Sequence, residues 1–405
     1  MRHFNLNEFI AEHVTERERS LFAEDLAANH DALAAGIDGK SVLVIGGAGT
    51  IGSSFIRALL RFKPSRLYVV DTDENGLTEL TRDLRSTDGL NVPDDYKPYP
   101  INFGDPVFTK IMRNEGPFDI VANFAAHKHV RSEKDHYSIE AMVTNNVLRA
   151  RTLLDLLVEY PPEHFFCVST DKAANPVNVM GASKKLMEEV IMAYSTKIKI
   201  STARFANVAF SNGSLLFGFI QRMMKQQPLS APSDVRRYFV SPDESGQLCL
   251  LACMLGESGD IIYPKLREEQ MKVFSDIAVD FLRVYGGYGT DRCATETEAK
   301  SKAAGLDVEA TDYPVFFFGS DTSGEKPYEE FYTDGETVDE ARFAQLGVIK
   351  NTERKDLGEI HQMFTLLETL FAQPDLDKAA IVKVIVDFLP NFEHIETGRS
   401  LDQKM

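Results

Sequence analysis

The stretch Ser41–Asp71, SVLVIGGAGTIGSSFIRALLRFKPSRLYVVD, decides the fold class of this chain. Its first five residues form an apolar, β-branched run that is long enough for one buried strand. A glycine turn follows, then an amphipathic helix, and a second apolar strand that ends at Asp71. The turn contains Gly46, Gly49 and Gly52. Glycines permit a tight turn and let backbone N–H groups approach a pyrophosphate, which the helix N-terminus also attracts. The stretch therefore predicts a dinucleotide-binding βαβ unit.

Asp71 ends the second strand, about twenty residues after the glycine turn, where the dinucleotide-binding pattern has an acid. A carboxylate there accepts hydrogen bonds from ribose hydroxyls and repels a 2′-phosphate, which favours NAD over NADP. Thr50 and Ile51 begin the helix and are expected to contact the same cofactor. Glycine turns also join strands to helices for structural reasons alone. Both strands and the terminal acid together favour the cofactor site.

Composition limits the function classes. The chain has 405 residues, of which 43% are hydrophobic and 26% charged, as in a globular protein large enough for two lobes. The net charge of −17 argues against a nucleic-acid partner or an anionic membrane surface. No apolar run reaches membrane-spanning length. The four cysteines show no metal-ligand spacing, and a cytoplasmic protein without a metal is expected.

Strands alternate with helices as far as a fifth strand, His164–Val168, which predicts an α/β fold with a doubly wound parallel sheet. The third strand is expected near Ile101, and one long helix over about 138–160. A smaller mixed α/β lobe follows. The predicted divisions are a helical arm at 1–39, a Rossmann domain at 40–205 and a substrate lobe at 206–405, with some segments returning to the sheet.

Polar clusters follow the fourth and fifth strands: Lys128 with His129, and Thr170 with Asp171 and Lys172. Ligands of open parallel sheets bind at the carboxyl ends of the strands. An adjacent acid and amine could divide acid and base roles, but a lysine acts as a base only if its pKa is lowered. Lys184 could supply a cation that lowers it. A surface Asp–Lys pair and a core histidine are the alternatives.

The segment STDKAANPVNVMGASKK resembles the catalytic segment of the extended short-chain dehydrogenase/reductase superfamily. Lys184 matches its cofactor-ribose lysine, and Met180 stands where most members have a catalytic tyrosine. In this the chain is similar to the nucleotide-sugar 4,6-dehydratases of bacterial polysaccharide biosynthesis, which have methionine at that position. The resemblance implies that Asn102 and Phe103 hold the adenine ring.

Other motifs extend the resemblance over most of the chain. They are AAHKHV, NNVLRA, RFANVAFSNGS, RRYFVSPDES and SGEKPYEEF. The resemblance implies that Ala125 and Ala126 contact the cofactor, and that substrate is bound by Lys128, His129, Asn207, Ser214, Arg237 and Glu325. Thr322 and Asn212 replace family arginines, which puts phosphate contacts in doubt.

The family resemblance implies a substrate and a reaction. UDP-N-acetylglucosamine would be oxidised at C4 with NAD, lose water across C5 and C6, and receive the hydride at C6. Thr170 would hydrogen-bond the 4-oxygen, Asp171 would take the 4-hydroxyl proton and later protonate O6, and Lys172 would remove the C5 proton. A homodimer is expected, through helices at about 138–160 and 180–194. The membrane-anchored members carry transmembrane helices that this sequence lacks.

Two alternatives from other classes stay open. A nucleotide-sugar epimerase of the same fold would need only keto formation or inversion at C5. Asp171 and Lys172 argue against simple 4-epimerisation, which needs no acid at C6. A non-catalytic NAD-binding protein would have lost the tyrosine function, and the presence of Thr170, Asp171 and Lys184 argues against it.

Overall fold

The computed structural model describes residues 4–320, 326, 328–350 and 354–395. The strands in chain order are β1 Ser41–Ile45, β2 Arg66–Asp71, β3 Asp95–Pro100, β4 Ile120–Asn123, β5 His164–Val168, β6 Ile200–Ala203, β7 Asn207–Val208, β8 Leu229–Pro232, β9 Arg236–Arg237, β10 Phe239–Val240, β11 Asp260–Pro264, β12 Lys272–Val273, β13 Gly289–Arg292, β14 Asp312–Phe318, β15 Thr337–Asp339 and β16 Leu346–Lys350.

The α-helices in chain order are α1 Leu6–Phe9, α2 Ala23–Ala28, α3 His30–Ile37, α4 Thr50–Leu59, α5 Glu74–Ser86, α6 Pro106–Glu115, α7 His136–Val143, α8 Arg149–Glu159, α9 Val179–Tyr194, α10 Leu215–Met224, α11 Pro242–Leu255, α12 Phe274–Phe281, α13 Glu296–Ala304, α14 Leu357–Phe371 and α15 Lys378–Phe388. None of these helices combines the length and apolar composition needed to cross a membrane.

The main sheet has nine strands in the order β15-β16-β11-β6-β5-β4-β1-β2-β3. From β11 to β3 all neighbours run parallel, while β16 is antiparallel to β11 and to β15. The order starts in the middle of the sheet and grows outward in both directions, as in a doubly wound fold. The predicted fold class is confirmed, including the smaller lobe, in which β8, β13 and β14 form a separate sheet.

The central strands are apolar because helices cover the sheet on both faces. Val42, Leu43 and Val44 are fully buried. The register pairs Ile45 with both Val70 and Asn123, so β1, β2 and β4 end at one level. The turns after these strands therefore meet at the same edge of the sheet.

The sequence predicted one position closely and one helix incorrectly. The third strand, expected near Ile101, ends one residue earlier, at Pro100, and is a half-exposed outer strand without an apolar run. The helix expected over about 138–160 is divided into α7 and α8 by a π-helical turn at Thr144–Leu148. Such turns insert an extra residue and often occur at functional sites.

The N-terminal arm packs against the C-terminal half of the chain. The Arg17 guanidinium forms a two-pronged ion pair with Glu244, at 2.9 Å and 2.6 Å. Phe9 lies in a hydrophobic cluster with Phe210 and Phe281. The arm thus contributes packing to the C-terminal half.

The two C-terminal helices cover the helices that we expected to form a dimer interface. α14 packs on α9, and α15 packs on α7. The Arg151 side chain of α8 donates to Glu368 of α14 at 3.0 Å and stacks on the Phe364 ring. A homodimer through this surface would require the C-terminal helices to move away. The homodimer itself stays a prediction.

Candidate active site

The glycine turn after β1 brings the backbone close to the turn after β4. Gly46 has a φ of +77°, and a Cβ atom there would lie 2.5 Å from the Ala125 nitrogen. A Cβ atom on Gly52 would overlap the Gly46 carbonyl oxygen. Only glycine fits either position. The first turn of α4 therefore packs closely on the glycine loop, and the free N–H groups of α4 lie at the mouth of a cavity.

This cavity measures about 330 Å³ and follows the edge where β1, β2 and β4 end. Ten residues that the sequence assigned to a cofactor line it together: Gly46, Gly49, Thr50, Ile51, Gly52, Asp71, Asn102, Phe103, Ala125 and Ala126. Its glycine turn and helix N-terminus fit a pyrophosphate, and its terminal acid fits a ribose. These residues could hold NAD.

Asp71 has a structural contact as well. Its carboxylate accepts hydrogen bonds from the Ala48 N–H at 2.9 Å and from the Asp73 N–H at 3.0 Å. It therefore holds the glycine turn while facing the cavity. Because each carboxylate oxygen has two acceptor positions, ribose hydroxyls could still bind it.

A second cavity of about 900 Å³ adjoins the first, and Ile51, Phe124, Ala126 and Lys128 line both. Seven further predicted site residues line the second cavity: His129, Thr170, Lys172, Met180, Lys184, Asn207 and Ser214. Arg237 and Asp171 are buried beside this cavity rather than on its lining. Glu325 and Thr322 lie outside the described residues.

The turn after β5 forms a compact acid–hydroxyl–amine cluster. The Asp171 Oδ1 atom accepts from the Thr170 hydroxyl at 2.8 Å, the Lys172 N–H at 2.9 Å and the Lys172 ammonium at 3.1 Å. The Asp171 side chain is only 4% exposed. Thr170 and Lys172 line the larger cavity, and both hydrogen-bond to the buried carboxylate.

Glu329 is a member of this cluster that the sequence interpretation missed. Its Oε1 atom lies 3.7 Å from the Lys172 Nζ atom and 4.0 Å from an Arg237 nitrogen. Burial alone would lower the pKa of Lys172, but the carboxylates of Asp171 and Glu329 raise it above its usual value. Lys172 is therefore an ammonium at neutral pH, contrary to the expected lowering of its pKa.

Lys184 does not act on Lys172 as expected. Its ammonium donates to the Val168 carbonyl oxygen at 2.7 Å, and burial lowers its pKa. The nearby cation that opposes the charge of Lys172 is Arg237. Met180 lies one turn before Lys184 on α9, and Asn178 caps that helix by accepting from the Gly181 N–H.

The π-helical turn of the long helix holds the loop after β4. The Asn146 side chain accepts from the His127 N–H and donates to the His127 carbonyl oxygen, both at 2.9 Å. It also donates to the Ser183 hydroxyl of α9 at 3.0 Å. One buried amide thus fixes the loop of Lys128 and His129 relative to the helix of Met180 and Lys184. The sequence signal for it was the Asn–Asn pair in NNVLRA.

Lys128 and His129 follow β4 and line the larger cavity, and both residues remain exposed. Desolvation lowers the pKa of both groups, and Lys128 and Arg131 lower that of His129 further. The Lys128 ammonium donates to the Asn212 carbonyl oxygen at 3.3 Å, while the Asn212 N–H donates to the Thr50 hydroxyl at 2.9 Å. The loop before Ser214 is thereby tied to the glycine turn.

Two polar atoms of the larger cavity were also missed. The Arg222 Nε and the Ser230 Oγ are buried, line this cavity and have no hydrogen-bond partner among the described residues. Buried polar atoms are rarely left unpaired, because desolvation is costly. They favour a polar ligand in this part of the cavity. No cluster of His, Cys, Asp and Glu that could hold a metal occurs in the described parts of the chain.

The family model described as "Polysaccharide biosynthesis protein" matches residues 42–351. The chain belongs to this family. It is 32% identical over 255 residues to an uncharacterised membrane protein of Methanocaldococcus jannaschii, covering 62% of this chain and 73% of that one. It is 27% identical to the probable polysaccharide biosynthesis protein EpsC of Bacillus subtilis, covering 85% of this chain and 53% of EpsC. The chain thus spans about half the length of EpsC.

An inverting UDP-N-acetylglucosamine 4,6-dehydratase of Campylobacter jejuni is 26% identical, with 56% of this chain and 68% of that one covered. Among solved structures, Pen from Bacillus thuringiensis superposes with a TM-score of 0.61 at 20% identity, covering 79% and 90% of the two chains. UDP-glucuronic acid 4-epimerase from Bacillus cereus, in complex with UDP-glucuronic acid and NAD, has a TM-score of 0.54 at 18% identity, covering 72% and 90%. These structures share the fold.

Proposed function

We propose that this protein is an NAD-dependent 4,6-dehydratase that acts on UDP-N-acetylglucosamine. The observation that carries the proposal is the junction of the two cavities. The cavity lined by the predicted cofactor residues adjoins a larger one there, and Thr170 and Lys172 line the larger cavity and hydrogen-bond to Asp171. The related Campylobacter dehydratase supports this substrate class.

The cluster after β5 supplies the proton transfers that the reaction needs. NAD, when bound, supplies the hydride acceptor for C4 and the donor for C6. The Thr170 hydroxyl binds the 4-oxygen, and the 4-hydroxyl proton passes to Asp171, with which Thr170 shares a 2.8 Å hydrogen bond. Asp171 then holds this proton until O6 departs as water. Met180 has no exchangeable proton, so it takes no part in this proton transfer and serves only to pack the site.

Lys172 is the base for the C5 proton, which the neighbouring ketone acidifies. Its ammonium form must first lose a proton. This loss becomes easier once Asp171 is protonated. The carboxylate 3.1 Å from Nζ then no longer carries the negative charge that raises the pKa of Lys172. Lys128, His129, Asn207 and Ser214 contact the nucleotide sugar, and Arg222 and Ser230 supply polar atoms in the same cavity.

Incubation of the purified protein with UDP-N-acetylglucosamine and added NAD tests the proposal. Mass spectrometry should record the loss of one water from the sugar nucleotide. An unchanged mass with a changed sugar configuration would instead indicate an epimerase. No change in any UDP- or GDP-linked sugar would indicate a non-catalytic NAD-binding protein.

A further inference from the structure

We propose that Glu329 is a positioning residue that accepts the Lys172 proton and so releases Lys172 as the free amine that removes the C5 proton. The inference rests on the proposed dehydratase function and names a proton site that the function alone does not define. It is carried by the position of the Glu329 carboxylate, which lies 3.7 Å from the Lys172 Nζ atom, while Asp171 Oδ1 lies 3.1 Å from the same atom.

The four charged groups of the cluster are balanced two against two. Lys172 and Arg237 are cations, and Asp171 and Glu329 are anions when ionised. Side-chain exposure is at most 18% for all four, and a bound nucleotide sugar would fill the cavity that Lys172 lines, so solvent would not readily accept a proton from Lys172. A proton that leaves Lys172 therefore needs an acceptor inside the cluster.

Asp171 is not that acceptor if it already holds the proton of the 4-hydroxyl. Glu329 is then the carboxylate next to the Lys172 ammonium. Burial raises the pKa of Glu329, while Lys172, Arg237 and Lys326 oppose the shift and Asp171 adds to it. Glu329 can therefore take up a proton and become a neutral carboxylic acid. The Arg237 guanidinium, 4.0 Å away, holds the Glu329 carboxylate in place.

The proton balance closes over one cycle. Transfer from the Lys172 ammonium to Glu329 gives an amine and a carboxylic acid, with no net change of charge. The amine takes the C5 proton, O6 leaves as water with the Asp171 proton, and C5 is reprotonated when the hydride reaches C6. If the Lys172 ammonium returns that proton, the amine is regenerated. Glu329 holds one proton throughout and exchanges none with the substrate.

The test compares water elimination in Glu329→Gln, in Glu330→Gln and in the wild type between pH 6 and 9, in single turnover. Glu330 is the matched control, because it is the next residue, is exposed and bonds Asn175 at 2.8 Å. The wild type and Glu330→Gln should show a rate that is nearly flat near neutral pH, because the proton moves within the Lys172–Glu329 pair. Glu329→Gln must lose the proton to solvent, so its rate should rise about tenfold per pH unit.

At pH 7 the Glu329→Gln rate should be at least about tenfold below wild type, and its kinetic isotope effect with 5-deuterated substrate should increase. A Glu329→Gln rate that equals or exceeds the wild-type rate at pH 7 would overturn the proposal, since a mere ion-pair partner would raise the pKa of Lys172. Should the Gln variant not fold, a wild-type rate that itself rises tenfold per pH unit would overturn it equally. A wild type that removes no water would overturn the proposed function first, and this inference with it.

Discussion

Arg204 and Glu188 form a fully buried ion pair that joins β6 to α9, the helix of Met180 and Lys184. The Arg204 guanidinium donates to both Glu188 oxygens, at 2.9 Å and 2.8 Å, and the Ser169 hydroxyl donates to the same carboxylate at 2.6 Å. Ser169 directly precedes Thr170. The ion pair thus holds the carboxyl end of β5 against α9, which fixes the cluster of Thr170, Asp171 and Lys172 relative to Met180.

Replacing Glu188 by alanine should therefore lower the free energy of unfolding by about 1–3 kcal/mol, because the buried guanidinium loses one of its two carboxylate partners and keeps only Glu336, at 2.9 Å and 2.8 Å. Glu189→Ala is the control. Glu189 is partly exposed and pairs with Lys185 at 3.3 Å, so its loss should cost less than about 1 kcal/mol. Chemical denaturation would measure both. Equal losses in the two variants would contradict the assigned role of the ion pair.

The same pair makes stability depend on acid pH. Burial alone would raise the pKa of Glu188, but the Arg204 guanidinium lowers it to about 2 from an ordinary value of 4.5. A lowered pKa stabilises the folded state above the ordinary value, and this contribution is lost as the pH falls from 4.5 towards 2. Thermal unfolding of the wild type should show this loss, and Glu188→Gln should show a smaller one. A pH dependence identical in the two proteins would refute the assignment.

Asp71 should make the protein prefer NAD to NADP, because its carboxylate repels a 2′-phosphate. Calorimetric titration should give a tighter Kd for NAD, and Asp71→Asn should reduce the difference. The variant should also bind NAD less well, since the Ala48 N–H loses a charged acceptor. Asp88→Asn, in an exposed loop, should change neither Kd. A wild type that binds NADP more tightly would show that the Asp71 assignment is wrong.

Asp171→Asn keeps the shape of the side chain but removes both the proposed base for the 4-hydroxyl and the proposed acid for O6. Turnover should fall by roughly 10²–10⁴-fold, and no reduced nicotinamide should form. Lys172→Met should instead stop water loss while oxidation at C4 continues, so the reduced-nicotinamide absorbance should accumulate. Stopped-flow absorbance separates the two cases. Reduction at the wild-type rate in Asp171→Asn would point to another base, and a water relayed through Thr170 to Lys184 would be the next candidate.

Met180→Leu should be nearly neutral, because the two side chains have similar volumes and neither exchanges a proton. Met180→Ala should lower stability, since Met180 is only 3% exposed and belongs to the main hydrophobic core. Turnover and thermal unfolding of both variants measure these effects. A large fall in turnover of Met180→Leu, without loss of stability, would show that the thioether has a role beyond packing.

Arg222→Leu and Ser230→Ala should raise the KM for the nucleotide sugar and change kcat little, because these side chains line the larger cavity and form no hydrogen bond with the cluster after β5. Removing one hydrogen bond to a bound group costs about 0.5–3 kcal/mol, depending on whether that group is charged. Steady-state kinetics with saturating NAD would measure the effect. A fall in kcat at constant KM would contradict the binding role.

The sequence predicted those parts of the fold whose signals are local. The apolar runs Ser41–Ile45 and His164–Val168 form strands with the predicted bounds, since each carries its own hydrophobic pattern. Hydrophobic periodicity did not reveal the π-helical turn. Asn145 and Asn146 are buried there, but they are polar, so they add nothing to a hydrophobic pattern. The antiparallel strands β15 and β16 were not predicted either, since their burial depends on β11.

The site shows the same division. The glycine turn and the segment after β5 are contiguous in sequence, and their residues were found there. Glu329 lies in a run of two glutamates, which usually indicates an exposed surface. Only the fold brings it within 3.7 Å of Lys172, more than 150 residues earlier in the chain. The pKa of Lys172 was predicted in the wrong direction for the same reason.

The C-terminal pair α14 and α15 occupies a surface where a second subunit was expected. These helices belong to the same chain as the surface that they cover. Their effective concentration at that surface is therefore on the order of millimolar, and dilution of the protein does not change it. The packing of α7, α8 and α9 around Asn146 should therefore persist in very dilute solution. Specific activity that stays constant on dilution would follow from this arrangement.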